Sequence, residues 1–298
     1  MNKLGFGVLL FFAGLLTFGG ELFYCLQPEG DRAHFPERTA ELGRTHIVID
    51  ESFDGSAAER WTKEELRKFK KKGAVLLCYF SIGEAESYRS YWQAGWKKTP
   101  PAFLLSENPQ WEGNFRVRYW DPAWQQIILK ELDRIVGSGF DGVFLDIVDG
   151  FEYFEEKAHR EAAVNPDTGN TYRADMVKWV LLLAERAREK KPDFRIFIQN
   201  GEELLADRML LQTIDGLVVE DLFSNGKALQ PSVEIRARIK HIRLAQEARK
   251  TCFAVEYRPA GKKRQVRELA ARFQLDLLVT DRELKTAGKA YPKGPAQH

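Results

Sequence analysis

The sequence predicts a single-domain α/β protein, a (β/α)8 TIM barrel, and two observations favour this fold. Short apolar runs alternate with segments of helical periodicity along the 298 residues, an order that yields a parallel sheet with helices packed outside it. Neither G-x-G-x-x-G after the first apolar run nor G-x-x-x-x-G-K-[ST] occurs, which disfavours a nucleotide-binding open sheet. The length suits one such barrel, which takes roughly 250 residues.

The apolar runs predict the strands of the barrel. Continuous apolar runs bounded by turn signals are typical of strands that are buried on both faces. In residues 140–146 an Asp-Gly turn signal precedes three apolar residues and a terminal carboxylate, residues 214–220 repeat this pattern, and residues 275–281 repeat it more loosely, without the Gly. The eight predicted strands are residues 21–27, 45–50, 74–82, 140–146, 194–199, 214–220, 252–257 and 275–281.

Helical segments separate most of these strands. Thr62 with Glu65 three residues later has the spacing of a capping box, and Asp121 before Pro122 is a second N-terminal signal. Apolar residues then recur at helical spacing. The predicted helices are residues 62–72, 121–136, 172–190, 202–211, 233–249 and 263–273. Two long excursions rich in aromatic residues, 83–120 and 149–170, are predicted loops, and loops of this length are usually functional.

The two ends of the chain are predicted to lie outside the barrel. Lys3, the apolar run 4–18 and a Gly-Gly pair match a secretory signal peptide at residues 1–20, with an uncleaved anchor as the alternative. We therefore expect an exported protein: secreted, periplasmic or on the cell surface. Residues 21–290 are predicted to form the barrel and residues 291–298 a flexible tail.

Composition argues against several classes of partner and cofactor. The 45 basic and 43 acidic residues nearly cancel, so we expect no nucleic acid, and a membrane only through the N-terminal segment. The chain has three cysteines without metal-ligand spacing and five histidines without an H-x-H or H-E-x-x-H pair. No metal and no cofactor are therefore predicted.

Polar side chains follow the predicted strands at the ends where the active site of such a barrel lies. A single polar side chain at a strand end is weak evidence of a functional site, because strands often end in polar residues where the chain leaves the core. Together these residues indicate an acidic surface at the mouth of the barrel. The candidate residues are Asp50, Tyr79, Glu84, Glu86, Asp146, Asp149, Gln199, Asn200, Glu220, Tyr257 and Asp281.

Asp146 and Glu220 form a candidate catalytic pair for glycoside hydrolysis, which needs one ionised and one protonated carboxyl group. They end the predicted strands four and six, close enough across a barrel mouth for the ~5 Å separation of a retaining enzyme. Asp146 is short and suits the nucleophile. Glu220 has a longer side chain and apolar neighbours in Val218 and Val219 that raise a carboxyl pKa, so it suits the acid/base.

Several motifs together resemble glycoside hydrolase family 114. They are YFSIGEAE at 79–86 with YR at 88–89, YWDP at 119–122, FDGVFLD at 140–146 and QNG at 199–201. The resemblance covers roughly residues 45–285, and the characterised activity of the family is endo-α-1,4-polygalactosaminidase. It implies a (β/α)8 fold, export and retaining cleavage of a galactosamine-rich polysaccharide, and it maps the catalytic Asp and Glu of the family onto Asp146 and Glu220.

An acidic mouth suits the cationic polysaccharide that this resemblance implies as substrate. Asp50, Glu84, Glu86 and Asp149 are expected to attract it, and Arg89 is expected to organise Glu84 or Glu86. Aromatic side chains of the first excursion are candidates for stacking on sugar rings. They are Trp92, Trp96, Trp111 and Trp120.

Three other functions are compatible with the sequence. The barrel could bind a polysaccharide without cleaving it, or cleave another α-linked sugar. A metal-dependent hydrolase on the same scaffold is the third, and it requires side chains such as Asp50, Glu84 and Asp146 to converge on one cation.

Overall fold

The computed structural model describes residues 20–293. The predicted signal peptide, apart from Gly20, and residues 294–298 of the predicted tail lie outside this range. The strands are β1 (Leu22–Cys25), β2 (His46–Ile49), β3 (Val75–Ser81), β4 (Glu84–Glu86), β5 (Leu104–Glu107), β6 (Asn114–Val117), β7 (Gly142–Asp146), β8 (Arg195–Gln199), β9 (Gly216–Glu220), β10 (Thr251–Tyr257), β11 (Asp276–Thr280) and β12 (Lys289–Tyr291). The helices are α1 (Phe35–Glu41), α2 (Lys63–Phe69), α3 (Pro122–Ser138), α4 (Phe151–Lys157), α5 (Tyr172–Lys190), α6 (Arg208–Thr213), α7 (Ser232–Glu247) and α8 (Lys263–Arg272).

Nine strands form the main sheet, in the order β1-β2-β3-β7-β8-β9-β10-β11-β12. Eight of them pair in parallel, and β12 is antiparallel to β11. The sheet curls until it is nearly closed: the N–H groups of Leu26 and Gln27, just after β1, donate to the carbonyl oxygen of Leu284, just after β11, at 3.0 and 3.2 Å. The predicted (β/α)8 barrel is thus confirmed, with its eight strands in the predicted order.

Side chains of successive strand residues alternate between two apolar layers, as the pleat requires. One layer fills the interior of the barrel, and the other lies between the sheet and the helices. The interior layer includes Tyr24, Leu77, Phe144, Phe197, Val218, Phe253 and Leu278. In the outer layer the indole N–H groups of Trp124 on α3 and Trp179 on α5 both donate to the carbonyl oxygen of Ile82, at 3.0 and 3.3 Å. These bonds fix two helices to the end of β3.

The predicted helix signals are largely confirmed. Thr62 and Glu65 form the capping box of α2, and Asp121 caps α3 with Pro122 in its first turn. Residues 172–190 form α5 as predicted. The helix predicted at 202–211 is instead a 3-10 helix, Glu202–Ala206, followed by α6. Asp207 separates them because its backbone is extended (φ −74°, ψ 117°) and its carboxylate caps Leu210.

Several short elements were not predicted. The polar stretch before β2 contains α1, and the excursion 149–170 contains α4, each of seven residues, too short to display helical periodicity. The excursion 83–120 is not only a loop, since it holds the antiparallel sheet β4-β6-β5. After β11 the chain forms β12 where the alternation would place a helix. The barrel boundary predicted at residue 290 falls inside β12.

Candidate active site

Asp146 is the last residue of β7 and is half-buried. The Tyr79 hydroxyl donates to its Oδ2 at 2.7 Å, and the Ile147 N–H donates to its Oδ1 at 2.8 Å. Burial raises the pKa of the Asp146 carboxyl to about 6, although both hydrogen bonds lower it. Because both donors are neutral, the carboxylate is oriented without being neutralised.

Glu220 is the last residue of β9, two strands from Asp146 in the sheet. The Tyr257 hydroxyl donates to the Glu220 Oε1, and the backbone N–H of Glu220 donates to the Asn200 Oδ1 at 3.0 Å. Burial, together with the negative charge of Asp146, raises the pKa of Glu220 to about 7. Glu220 is therefore the more weakly acidic carboxyl group of the pair.

Four neighbouring strands end at this site in the same unusual way. The residue that follows β7, β8, β9 and β10 has a positive φ in each case: 57° at Ile147, 53° at Asn200, 47° at Asp221 and 38° at Arg258. Left-handed backbone is uncommon for residues other than glycine and concentrates at functional sites. It turns the chain away directly after the strand, so that each terminal side chain stays at the mouth of the barrel.

Gln199 ends β8, the strand between those of the two carboxyl groups, and Asn200 directly follows it. The Gln199 Oε1 accepts from the Tyr24 hydroxyl at 3.1 Å, while Asn200 holds the backbone of Glu220 as described above. Tyr24 is a component that the sequence did not single out. Its position within a continuous apolar strand conceals that its hydroxyl points into the interior of the barrel.

Asp149 and Glu84 bring two more acidic groups close to Asp146. Asp149 lies in the 3-10 helix Val148–Gly150, and burial, followed by the charge of Asp146, raises its pKa well above the ordinary value. Burial raises the pKa of Glu84 to about 7. The Asn108 amide donates to the Glu84 Oε1 at 2.8 Å, and the Oε2 is buried without a partner. Asn108 was not predicted either, because it lies far away in the long excursion.

Asp50, Glu86 and Arg89 form a buried ion cluster instead of an open acidic surface. The Arg89 guanidinium binds both oxygens of Asp50, at 2.8 and 2.6 Å, and the Oε2 of Glu86 at 2.6 Å. The Tyr88 hydroxyl donates to the other Glu86 oxygen at 2.5 Å. Of the two carboxylates that Arg89 was expected to organise, it binds Glu86 and not Glu84. It also neutralises the charges of Asp50 and Glu86, which were expected to attract substrate.

The contacts described for the remaining predicted residues are with groups other than the carboxyl pair. Asp281 is 2% exposed and accepts from the N–H groups of Lys285 and Thr286 at 2.9 and 3.1 Å, so it caps its own loop. Trp120 packs against Phe154, with ring centroids 4.7 Å apart, and its indole donates to Asp167. Of the four tryptophans considered for stacking, Trp111 is exposed and Trp96 is buried.

Within residues 20–293 no three His, Cys, Asp or Glu side chains are grouped so that they could hold a metal ion. Asp50 has both oxygens occupied by Arg89. In the same range no helix combines the length and the apolar character needed to cross a membrane.

A parallel barrel with a pair of carboxyl groups at the C-terminal ends of its strands is an arrangement that suits glycoside hydrolysis. The model of glycoside hydrolase family GH114 matches residues 39–293. The chain belongs to this family, and the resemblance of its motifs is confirmed.

Two relatives illustrate the sequence similarity. A protein of Methanocaldococcus jannaschii is 41% identical over 231 residues, and one of Deinococcus radiodurans is 40% identical over 213 residues. These alignments cover 76% and 71% of this chain. The chain spans 64% of the length of each relative.

Solved structures show the same fold at low sequence identity. The glycoside hydrolase domain of PelA from Pseudomonas aeruginosa matches with a TM-score of 0.65 and 16% identity, over 91% of this chain and 99% of that one. Ega3 of Aspergillus fumigatus, in complex with galactosamine, matches with a TM-score of 0.65 and 18% identity, over 92% and 95%. The likeness to both supports the barrel architecture.

Proposed function

We propose that this chain is an exported O-glycosyl hydrolase that cleaves an α-linked, galactosamine-containing polysaccharide with retention of configuration. The observation that carries the proposal is the pair Asp146 and Glu220. Both residues lie at the C-terminal ends of barrel strands, and each carboxyl group accepts a hydrogen bond from a tyrosine hydroxyl. The pKa values of the two groups lie near 6 and 7.

The two steps of a retaining reaction assign a role to each member of the pair. The Asp146 carboxylate attacks the anomeric carbon while Glu220 donates its proton to the departing glycosidic oxygen. Glu220, now ionised, then takes a proton from a water molecule, whose oxygen attacks the same carbon and releases Asp146. Tyr79 and Tyr257 orient the two carboxyl groups through their hydroxyl donors.

Family membership and the galactosamine bound in Ega3 support an amino sugar as the substrate. The electrostatics agree, because Asp149 and Glu84 have no cationic partner among their described hydrogen bonds and ion pairs. An ammonium group bound nearby would favour their ionised forms and so offset the burial of their charges. Asp50 and Glu86 contribute less to this attraction, since Arg89 compensates them.

Incubation of the purified protein with α-1,4-linked galactosamine oligomers tests the proposal. We expect new reducing ends, with the α-anomer appearing first in proton NMR spectra. Fully N-acetylated galactosamine oligomers and β-1,4-linked glucosamine oligomers serve as controls for the amino group and for the linkage. Binding without any cleavage would instead favour a polysaccharide-binding barrel.

Export is a separate part of the proposal and rests on the signal-like segment 1–20. Expression of the full chain in a bacterium, followed by fractionation and N-terminal sequencing, tests it. We expect the protein outside the cytoplasm, either shortened near residue 20 or anchored by the intact segment. Recovery of the uncleaved chain in the soluble cytoplasmic fraction alone would contradict export.

A further inference from the structure

Arg282 links three neighbouring strands at the side of the mouth where Glu220 lies. It follows β11, and its Nη2 lies 2.9 and 2.7 Å from the two carboxylate oxygens of Asp221, which follows β9. Between these two positions its guanidinium carbon lies 4.3 Å from the ring centroid of Tyr257, at the end of β10. The side chain therefore crosses the end of one strand to bind the loop of the next.

Tyr257 is the residue through which this contact reaches the reaction. Its hydroxyl donates to Glu220 Oε1, and the residue is 6% exposed. A guanidinium over an aromatic face attracts the ring and limits its rotation. Asp221 in turn holds the guanidinium in place, and its left-handed backbone (φ 47°) directly follows Glu220.

We propose that Arg282 is a positioning residue for Glu220: anchored by Asp221, it lies on the ring of Tyr257 and fixes the hydroxyl that orients the acid/base carboxyl group. This inference rests on the proposed function for its catalytic consequence. Its structural consequence, the state of the Glu220 carboxyl, is independent of any substrate.

The sign of the effect follows from the groups around Glu220. Both the hydroxyl of Tyr257 and the positive charge of Arg282 favour the ionised carboxylate, so loss of Arg282 raises the pKa of Glu220. Other charged or titratable groups face it from β1, from β7 and β9 with the residues that follow them, and from α7, and of these only Asp221 loses a partner when Arg282 is replaced. They are Tyr24, Asp146, Asp149, Asp221 and Arg238.

The test is a carbon-13 NMR titration of the glutamate side chains in the full chain, with the Glu220 signal assigned by its loss in Glu220→Gln. We expect Arg282→Ala to raise the midpoint of Glu220 by about half a pH unit. In a Tyr257→Phe background, the same substitution should have less than half of this effect. Arg264→Ala is the matched control, because it removes an exposed arginine on α8. It is expected to leave the titration midpoint of Glu220 unchanged.

Two outcomes would overturn the inference. One is an unchanged midpoint in Arg282→Ala. The other is an equal effect with and without the Tyr257 hydroxyl, which would mean that Arg282 acts by charge alone. Arg282→Lys keeps the charge but not the planar contact, and it provides the same test if the alanine variant unfolds. We expect Arg282→Lys to reproduce at least part of the rise in the Glu220 midpoint that is expected for Arg282→Ala.

Kinetics supply the catalytic readout. We expect kcat of Arg282→Ala to fall roughly tenfold with KM nearly unchanged, because the acid/base is misplaced while substrate binding is retained. A rise in KM alone would contradict a positioning role. If the native protein cleaves no sugar, the proposed function fails, and the titration still decides the role of Arg282.

Discussion

The carboxylates at the mouth of the barrel fall into two groups that differ in their partners. Asp146 and Glu220 each accept a neutral tyrosine hydroxyl, and their pKa values are raised. Asp50 and Glu86 share the guanidinium of Arg89. A carboxylate that is paired with a buried cation is costly to remove, because the cation then stays buried without its partner, and it is poorly suited to attack or to donate a proton. The difference in partners therefore separates the proposed catalytic groups from those held in an ion cluster, among side chains of one chemical type.

The largest expected effect comes from substitution of the proposed catalytic pair, Asp146 and Glu220. We expect Asp146→Asn to lower kcat by more than about 10⁴-fold and Glu220→Gln by about 10²–10⁴-fold, since each removes a group that acts in the transition state. Rates with the galactosamine oligomers measure this, and circular dichroism checks the fold. Full activity in either folded variant would refute the pair.

Substitution of Asp50 or Glu86, the carboxylates that share Arg89, should instead change the stability of the protein. Asp50→Asn leaves Arg89 with one carboxylate fewer in a buried site, and breaking such a pair lowers the free energy of unfolding by about 3–5 kcal/mol. Urea denaturation measures the loss. The comparison fails if Asp50→Asn stays as stable as the native protein and loses activity as completely as Asp146→Asn.

Negative charge on Asp146 and Glu220 is expected to lower the stability of the fold. Because burial raises the pKa of Asp146 and Glu220 above the value of about 4 in an unfolded chain, the folded state binds more protons there. Their contribution therefore falls as the pH rises from about 4 to 7. We expect Glu220→Gln to be more stable than the native protein at pH 8, by on the order of 1 kcal/mol. Thermal unfolding at pH 5 and pH 8 measures the stability of Glu220→Gln relative to the native protein. A variant that is less stable than the native protein by the same amount at both pH values would contradict the expectation.

The two tyrosines should move opposite limbs of the pH profile. The proposed mechanism needs ionised Asp146 and protonated Glu220, so we expect a bell-shaped profile with apparent limbs near pH 6 and 7 that belong to the coupled pair. Both hydroxyl bonds lower the pKa of their acceptor. Tyr79→Phe should therefore raise the acidic limb and narrow the bell, while Tyr257→Phe should raise the alkaline limb and widen it, each by about half a pH unit. Limbs that stay in place in both variants would show that neither hydroxyl acts on its carboxyl group.

Much of the fold and the candidate pair could be predicted from the sequence. Each apolar run that ended on a carboxylate became a barrel strand, because strands buried on both faces need continuous apolar residues. The positions of Asp146 and Glu220 follow from this regularity alone. The short helices α1 and α4 and the strand β12 were missed because they are too brief for any period to show.

The partners of the carboxylates could not be predicted in the same way. Arg89 reaches Asp50 across 39 residues of sequence, and that contact depends on how the first excursion folds. Asp281 repeats the pattern of Asp146, but its two oxygens face the N–H groups of its own loop. Whether a carboxyl group meets a cation, an amide or a hydroxyl is decided by tertiary contacts, and those contacts determine its chemistry.

The central claim, that Asp146 is the nucleophile and Glu220 its acid/base, is tested most directly by trapping the covalent intermediate. α-Galactosaminyl fluoride has a leaving group that needs little protonation, so it should react with Glu220→Gln and accumulate on the enzyme for want of a base. Intact mass spectrometry and peptide mapping should then find one galactosaminyl group on the peptide that contains Asp146, and none on the Asp146→Asn/Glu220→Gln double variant. Attachment to another residue, or turnover of the fluoride with inversion and no adduct, would contradict the account.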